Sequence, residues 1–302
     1  MRFALHVPTL NPGPATGSLL AALRVQTAQP HAFVVIDSSS TDDSPERFRE
    51  SGAAVHVIER SAFRHGGTRQ RSVELAPEAE VDLFLTQDAV PAHPEAFENL
   101  LQAFADPKVG AAFGRQLPRS GAGPLEAHAR LFNYPPHSRV KQAADALALG
   151  MKTFFISNSF AAYRREALLA VGGFPPDVIL SEDSYVSARL LLADWKVAYR
   201  ADARVHHSHA YGPLEELRRY FDVGVFHARE PWIREAFGKA EGEGGRFLRS
   251  EWDYLWRRGR RHLPGALWRN GLKFAGYRLG LVEGVLPRRL KVRISMNRGY
   301  WQ

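Results

Sequence analysis

The sequence predicts an α/β protein built on a mostly parallel, doubly wound sheet. Three observations carry that expectation. Short apolar runs alternate with helical spacings through the first hundred residues. The run Val81–Leu85 ends on Thr86-Gln87-Asp88-Ala89, and a carboxylate leaving a buried strand faces the crevice where open α/β sheets bind ligands. The acidic pair Glu182-Asp183 then precedes a helical pattern, where carboxylates favour the helix dipole.

Taken in order, 3–7 reads as a first strand, broken at Pro8, and 18–28 as a helix with Thr16 or Ser18 as cap. Residues 32–36 form a second strand that ends at Asp37, and the polar turn 38–45 leads into a short helix over 46–51. A third strand covers 54–58, a helix starts after the Gly66-Gly67 pair, and a fourth strand covers 81–85, followed by a helix over 94–104. Between Arg115 and Lys152 the pattern loosens into turn-rich segments at 114–119 and 132–136. Strand character returns over 154–163, helices follow over 164–171 and 184–192, and 197–199 and 203–206 read as short strands. From Pro213 only helical patterns remain, so the division expected is 1–212 as the sheet domain and 213–302 as a helical, basic region.

The chain of 302 residues is 45% hydrophobic and can bury a substantial core. It has no Cys, which excludes disulfides, thiolate metal sites and thiol nucleophiles and fits a reducing compartment. The N-terminus reads as a strand rather than a signal peptide, and no run approaches the roughly 18 apolar residues of a membrane span. A cytoplasmic protein, or one attached to a membrane surface, is expected. The net charge of +8 is uneven: residues 1–200 hold 20 Lys+Arg and 21 Asp+Glu, whereas 201–302 hold 20 and 11. The basic tail admits anionic lipid, nucleic acid or an anionic carrier as partner. Nucleic acid would leave the acidic crevice motifs unexplained and is not expected.

Asp37 suits either hydrogen bonds to a nucleotide base or an Asx-turn. The glycines of His65-Gly66-Gly67-Thr68-Arg69 let a backbone approach an anion at a helix N-terminus, with Arg69 able to pair with phosphate, or form a flexible turn. No Walker-type lysine follows, so this is not a P-loop. His207 and His209 alternate along an extended segment and share one face, as metal ligands or as surface residues. Glu182 and Asp183 either favour the helix dipole or supply a general base. A carboxylate and histidine for a divalent metal, with a separate carboxylate for proton transfer, together suggest metal-assisted transfer chemistry.

These pieces resemble the ordered motifs of inverting GT-A glycosyltransferases of family 2: Pro8-Thr9-Leu10-Asn11, Asp37-Ser38-Ser39-Ser40-Thr41-Asp42, Leu85-Thr86-Gln87-Asp88-Ala89 and Glu182-Asp183. The segments 65–69, 114–118, 132–135, 157–164 and 207–209 resemble bacterial rhamnosyltransferases, and the likeness covers about residues 3 to 230. The resemblance implies a GT-A fold, a nucleotide-sugar donor such as dTDP-L-rhamnose, Mg²⁺ or Mn²⁺, and a cell-surface glycan or its lipid-linked precursor as acceptor. It implies Asp183 as catalytic base, Asp88 with His207 or His209 as metal ligands, and Thr9, Asp37, Arg69, Gln87 and Glu182 at the donor. The sequence departs from the D-x-D pattern, with Thr86 in place of the first Asp, and from the family's usual Asn after the Arg, with Gln70. A transferase using another nucleotide sugar, or a sugar-nucleotide-binding protein without turnover, are the rival readings.

Overall fold

The computed structural model describes residues 1–209, 211–238 and 243–301. Its elements in chain order are β1 (Phe3–Thr9), α1 (Ala15–Arg24), β2 (Ala32–Asp37), α2 (Ser44–Glu50), β3 (Ala54–Val57), α3 (His65–Glu74), β4 (Val81–Leu85), β5 (Val90–Pro91), α4 (Ala96–Leu101), β6 (Val109–Leu117), α5 (Pro124–Asn133), β7 (Arg139–Lys141), α6 (Ala146–Leu149), β8 (Phe160–Arg164), α7 (Arg165–Ala170), α8 (Glu182–Leu192) and β9 (Lys196–His206). The remaining helices are α9 (Pro213–Arg229), α10 (Pro231–Phe237), α11 (Glu243–Arg258), α12 (Leu263–Leu281) and α13 (Arg288–Ile294).

The strands form one sheet in the order β3-β2-β1-β4-β8-β6-β9-β5, with β7 on β9. Strands β3, β2, β1 and β4 pair in parallel. Strand β8 runs against both β4 and β6, which restores the original direction in β6 and in its parallel partner β9. Six strands therefore point one way, and the expected mostly parallel α/β sheet is what the chain forms. Side chains alternate across it. Val81, Leu83 and Leu85 of β4 join one apolar layer with Leu19, Phe97 and Leu100, and Phe84 joins the other with Tyr163 and Phe174. Asp82 shares the Phe84 face, fully buried, where Arg165 Nη2 donates to it at 2.9 Å and the His6 imidazole lies 2.9 Å away.

Two elements stand where the sequence carries no signal for them. Strand β6 lies inside the sheet, although four of the six residues from Val109 to Gly114 are Gly or Ala and strand propensity is low. Packing demands the smallness: a Cβ on Gly114 would come within 2.3 Å of the Phe160 ring. Helix α5 occupies part of the stretch that reads as turns. The two short strands near the end of the sheet are one strand, β9, with an irregularity where Gly114 and Arg115 pair with Arg200 and Arg204.

The core does not stop at residue 212. Phe221, Val225 and Phe226 of α9, Ile233 and Phe237 of α10 and Trp301 belong to the same apolar cluster as Phe84 and Tyr163. Helices α9 and α12 cross in backbone contact, because a Cβ on Gly276 would lie 2.3 Å from Leu217 O and one on Gly280 2.1 Å from Phe221 O. No helix among the described residues is long and apolar enough to cross a membrane.

Candidate active site

The order of the strands places the motifs. Strands β1 and β4 are neighbours whose connections leave in opposite directions, and ligands bind outside the carboxyl ends of such a pair. Thr9 ends β1, Asp37 ends β2 and Thr86 follows β4. Because β8 runs backwards, its leading residues Ser157–Ser159 reach the same edge, where Thr86 N–H meets Ser159 O. The ends of β6 and β9 bring Gln116 and His207 there as well.

Two hollows open at this edge. One, of about 920 Å³, is lined by Thr9, Ser38 and Gln87, and the other, of about 860 Å³, by Asp183, Glu182 and Asn158. They meet at Arg69, Thr86, Asp88 and His209, which line both.

At the junction, Asp88, His207 and His209 place one ligand atom each within 4.8 Å of one another. Asp88 Oδ2 lies 3.4 Å from His207 Nε2 and 3.6 Å from His209 Nδ1. His207 Nδ1 donates to Gln116 Oε1 at 2.9 Å, while Arg130 donates to the same oxygen and Gln116 Nε2 donates to Ser157. The Arg130 donor fixes which end of the amide is oxygen, so the proton sits on Nδ1 and the Nε2 lone pair faces Asp88. Burial raises the Asp88 pKa, but its contacts with His207 and His209 outweigh it and hold the carboxyl well below the usual range. Burial also lowers both imidazoles, His209 to about 3. An ionised carboxylate with two neutral imidazoles is the donor set a divalent ion takes. The buried Thr86 hydroxyl stands beside it. These residues fit a metal, with Arg119 Nη2 also on Asp88 Oδ2 at 2.9 Å.

Asp183 opens on the second hollow and is otherwise ringed by protein. Its Oδ2 accepts Asn158 N–H at 3.0 Å and its Oδ1 accepts Ser184 N–H at 2.7 Å. Burial, then the neighbouring Glu182 charge, raises its pKa to about 6. Ser181, just before it, has φ 62°, a left-handed conformation rare outside glycine and found where a site overdetermines the backbone. Glu182 is pulled the other way: burial raises its pKa, but Arg69, 3.1 Å away, together with His65 and Asn158, brings it down.

Other expected donor residues are engaged within the protein. Asp37 Oδ1 accepts the Thr9 and Ser40 hydroxyls and its Oδ2 accepts Ser40 N–H, so the carboxylate braces the 38–41 turn and Ser38 faces the hollow. Gln87 clamps both backbone groups of Leu10. Arg69 is 6% exposed and tied to Glu182 and to His65 O. The glycines before it approach protein backbone rather than an anion, since a Cβ on Gly66 would sit 1.8 Å from Pro175 O. Gln70 accepts Phe174 N–H and shapes the loop before Asp183. Gln116, Arg119, Arg130 and Asn158 are the members of the site to which the sequence assigns no role. Gln116 and Asn158 lie within segments that carry the family resemblance, and that proximity was the only signal.

Comparison with known proteins gives the family and the fold. The profile described as Glycosyl transferase family 2 matches residues 5–172. The chain is 45% identical, over its whole length and 96% of the relative, to the O-antigen chain rhamnosyltransferase RfbN of Salmonella typhimurium. It is 46% identical, over 99% of its length and 95% of the relative, to the O-antigen chain rhamnosyltransferase WbaN of Salmonella anatum. Its fold is similar to that of the mannosyltransferase PcManGT from Pyrobaculum calidifontis, solved with GDP-Man and Mn²⁺, at a TM-score of 0.62 and 20% identity over 93% of this chain and 87% of that one. The chain belongs to glycosyl transferase family 2 and is a GT-A glycosyltransferase.

Proposed function

We propose that the enzyme transfers L-rhamnose, with inversion, from dTDP-L-rhamnose to a growing cell-surface glycan or its lipid-linked precursor. The observation that carries this reading is the placement of Asp183 on the hollow opposite the one lined by Thr9, Ser38 and Gln87, with Asp88, His207 and His209 between. The names of two relatives at 45% and 46% identity supply the sugar and the glycan.

A single displacement needs one base on the face of the sugar away from the leaving diphosphate. Asp183 takes the proton of the acceptor hydroxyl as that oxygen bonds to the anomeric carbon and the bond to the diphosphate breaks. Asn158 and Ser184 hold the carboxylate for the attack. Asp88, His207 and His209 would hold Mg²⁺ or Mn²⁺, which when bound neutralises charge on the leaving diphosphate. No covalent nucleophile is required. Calorimetry with dTDP-L-rhamnose, UDP-sugars and GDP-sugars, with and without Mn²⁺ or Mg²⁺, tests the donor. A preference for a UDP- or GDP-sugar would replace rhamnose in this reading, and binding without turnover would make the protein a sugar-nucleotide carrier.

The enzyme works at the inner face of the cytoplasmic membrane. Leu267, Trp268, Phe274, Val282 and Val285 are exposed along the side of α12 and its extension that faces away from α9. Arg257, Arg258, Arg260 and Arg261 flank one end of that face, and Arg288 and Arg289 follow the other. Trp252 and Trp256 stack at 6.2 Å, with Arg260 over Trp256 at 4.2 Å. An outward apolar helix face rimmed by arginine and tryptophan suits the headgroup level of an anionic bilayer.

A further inference from the structure

The last residues of the chain read in sequence as the end of a basic appendage, yet they return to the crevice. Residues 296–300 line the same hollow as Thr9, Ser38 and Asp88. They are fastened on both sides. Asp222 Oδ2, on α9, accepts the N–H of Met296 at 3.0 Å, the N–H of Asn297 at 3.1 Å and the Asn297 side-chain amide at 3.0 Å. Asn297 Oδ1 accepts from His65 Nε2 at 3.1 Å, at the start of α3. Arg229 donates to the Tyr300 hydroxyl at 2.8 Å, and Trp301 is buried beside Phe221. The segment is thus a fixed strap between α9 and α3.

Arg298 sits in the middle of this strap and is exposed to the hollow. Among the described residues neither its guanidinium nor that of Arg60, which lines the same hollow, has an ion pair or a side-chain hydrogen bond. Of the other two arginines that line it, Arg64 is held by Ser61 O and Phe63 O, and Arg69 is tied to Glu182 and His65 O. The anionic group of a nucleotide sugar is its diphosphate, and a guanidinium binds phosphate through paired, charge-assisted hydrogen bonds.

We propose that the C-terminal strap is a wall of the donor site and that Arg298 binds the donor diphosphate. This rests on the reading of the hollow as a nucleotide-sugar site. Pinning by Asp222, His65 and Phe221 sets the distance of Arg298 from the strand ends.

The test uses the full chain in Mn²⁺. Wild type is titrated calorimetrically with dTDP, UDP and GDP, and the tightest binder and its parent nucleoside become the probes. Arg298→Ala should weaken the diphosphate roughly tenfold, leave the nucleoside unchanged and leave the melting temperature unchanged, with Arg298→Lys in between. In turnover, the donor KM should rise while kcat holds. Diphosphate binding by Arg298→Ala within a factor of two of wild type overturns the proposal, as does an equal loss for diphosphate and nucleoside. If wild type binds none of the three diphosphates, the donor-site reading itself falls, and the proposal with it.

Discussion

Arg69 Nη1 lies 3.1 Å from Glu182 Oε1, and the two side chains are only 6% and 5% exposed. Glu182 immediately precedes Asp183, so the geometry of the pair sets where the proposed base points. Removing one member of a buried pair leaves the other charge without compensation. Arg69→Met should cost about 3–5 kcal/mol of stability, read by urea denaturation at pH 7. A loss under 1 kcal/mol would show that the pair does not hold the α8 N-terminus.

Asp183→Asn should lower turnover by about 10²–10⁴ and leave donor affinity nearly intact, because Asp183 lines the hollow away from Thr9 and Ser38. Retention of a tenth of wild-type turnover would transfer the role, with Glu182 the first candidate. With Asp183 as the proposed base, its raised pKa of about 6 should make the wild-type kcat rise with pH up to that value and level off above it. The same shift has a sign in stability. A carboxyl whose folded pKa is raised contributes stability below its ordinary value of 3.8, and that contribution is lost as pH rises through about 6. Asp183→Asn should therefore raise the melting temperature at pH 8 more than at pH 5.

Gln116 Oε1 accepts from His207 Nδ1 and so fixes the His207 tautomer. Gln116→Leu should weaken Mn²⁺ binding about 10–100-fold and leave the fold in place, measured by calorimetry. Asp88→Ala should abolish the metal dependence of donor binding. Full activity in chelator would instead assign charge neutralisation to the arginines, with Arg119 first because it already touches Asp88.

Trp268→Asp with Phe274→Asp should sharply reduce co-sedimentation with anionic vesicles and leave donor binding untouched, because both side chains are exposed and neither lines the two hollows. Binding should also fall with salt, since the arginines act within a Debye length of the surface. Equal binding of wild type to anionic and neutral vesicles, or to neither at low salt, would make α12 a contact between protein chains.

What the sequence discloses is what local chemistry writes. Asp88, Glu182-Asp183 and the alternating His207 and His209 stand at element ends, where turn residues and periodicity mark them. Strand β6 escapes because its small residues answer to Phe160 and Trp195, which approach only in the folded sheet. Arg69 and Asp37 are visible as charged residues in motifs, but whether a charge meets a ligand or a neighbour is decided by residues far along the chain. The partnership of His65 with Asn297 spans 232 positions and leaves no local trace.

The reversed strand β8 also has a consequence for how the chain reaches this state. β4 and β6 never touch as neighbours; each waits for residues 160–164 to fill the gap between them. During synthesis the β1–β4 half can assemble early from local crossovers, but β4 then presents an open edge until β8 arrives. A nascent chain stopped before residue 160 should aggregate through that edge, and one extended past β9 should not, which a series of truncated chains assayed for solubility would read directly.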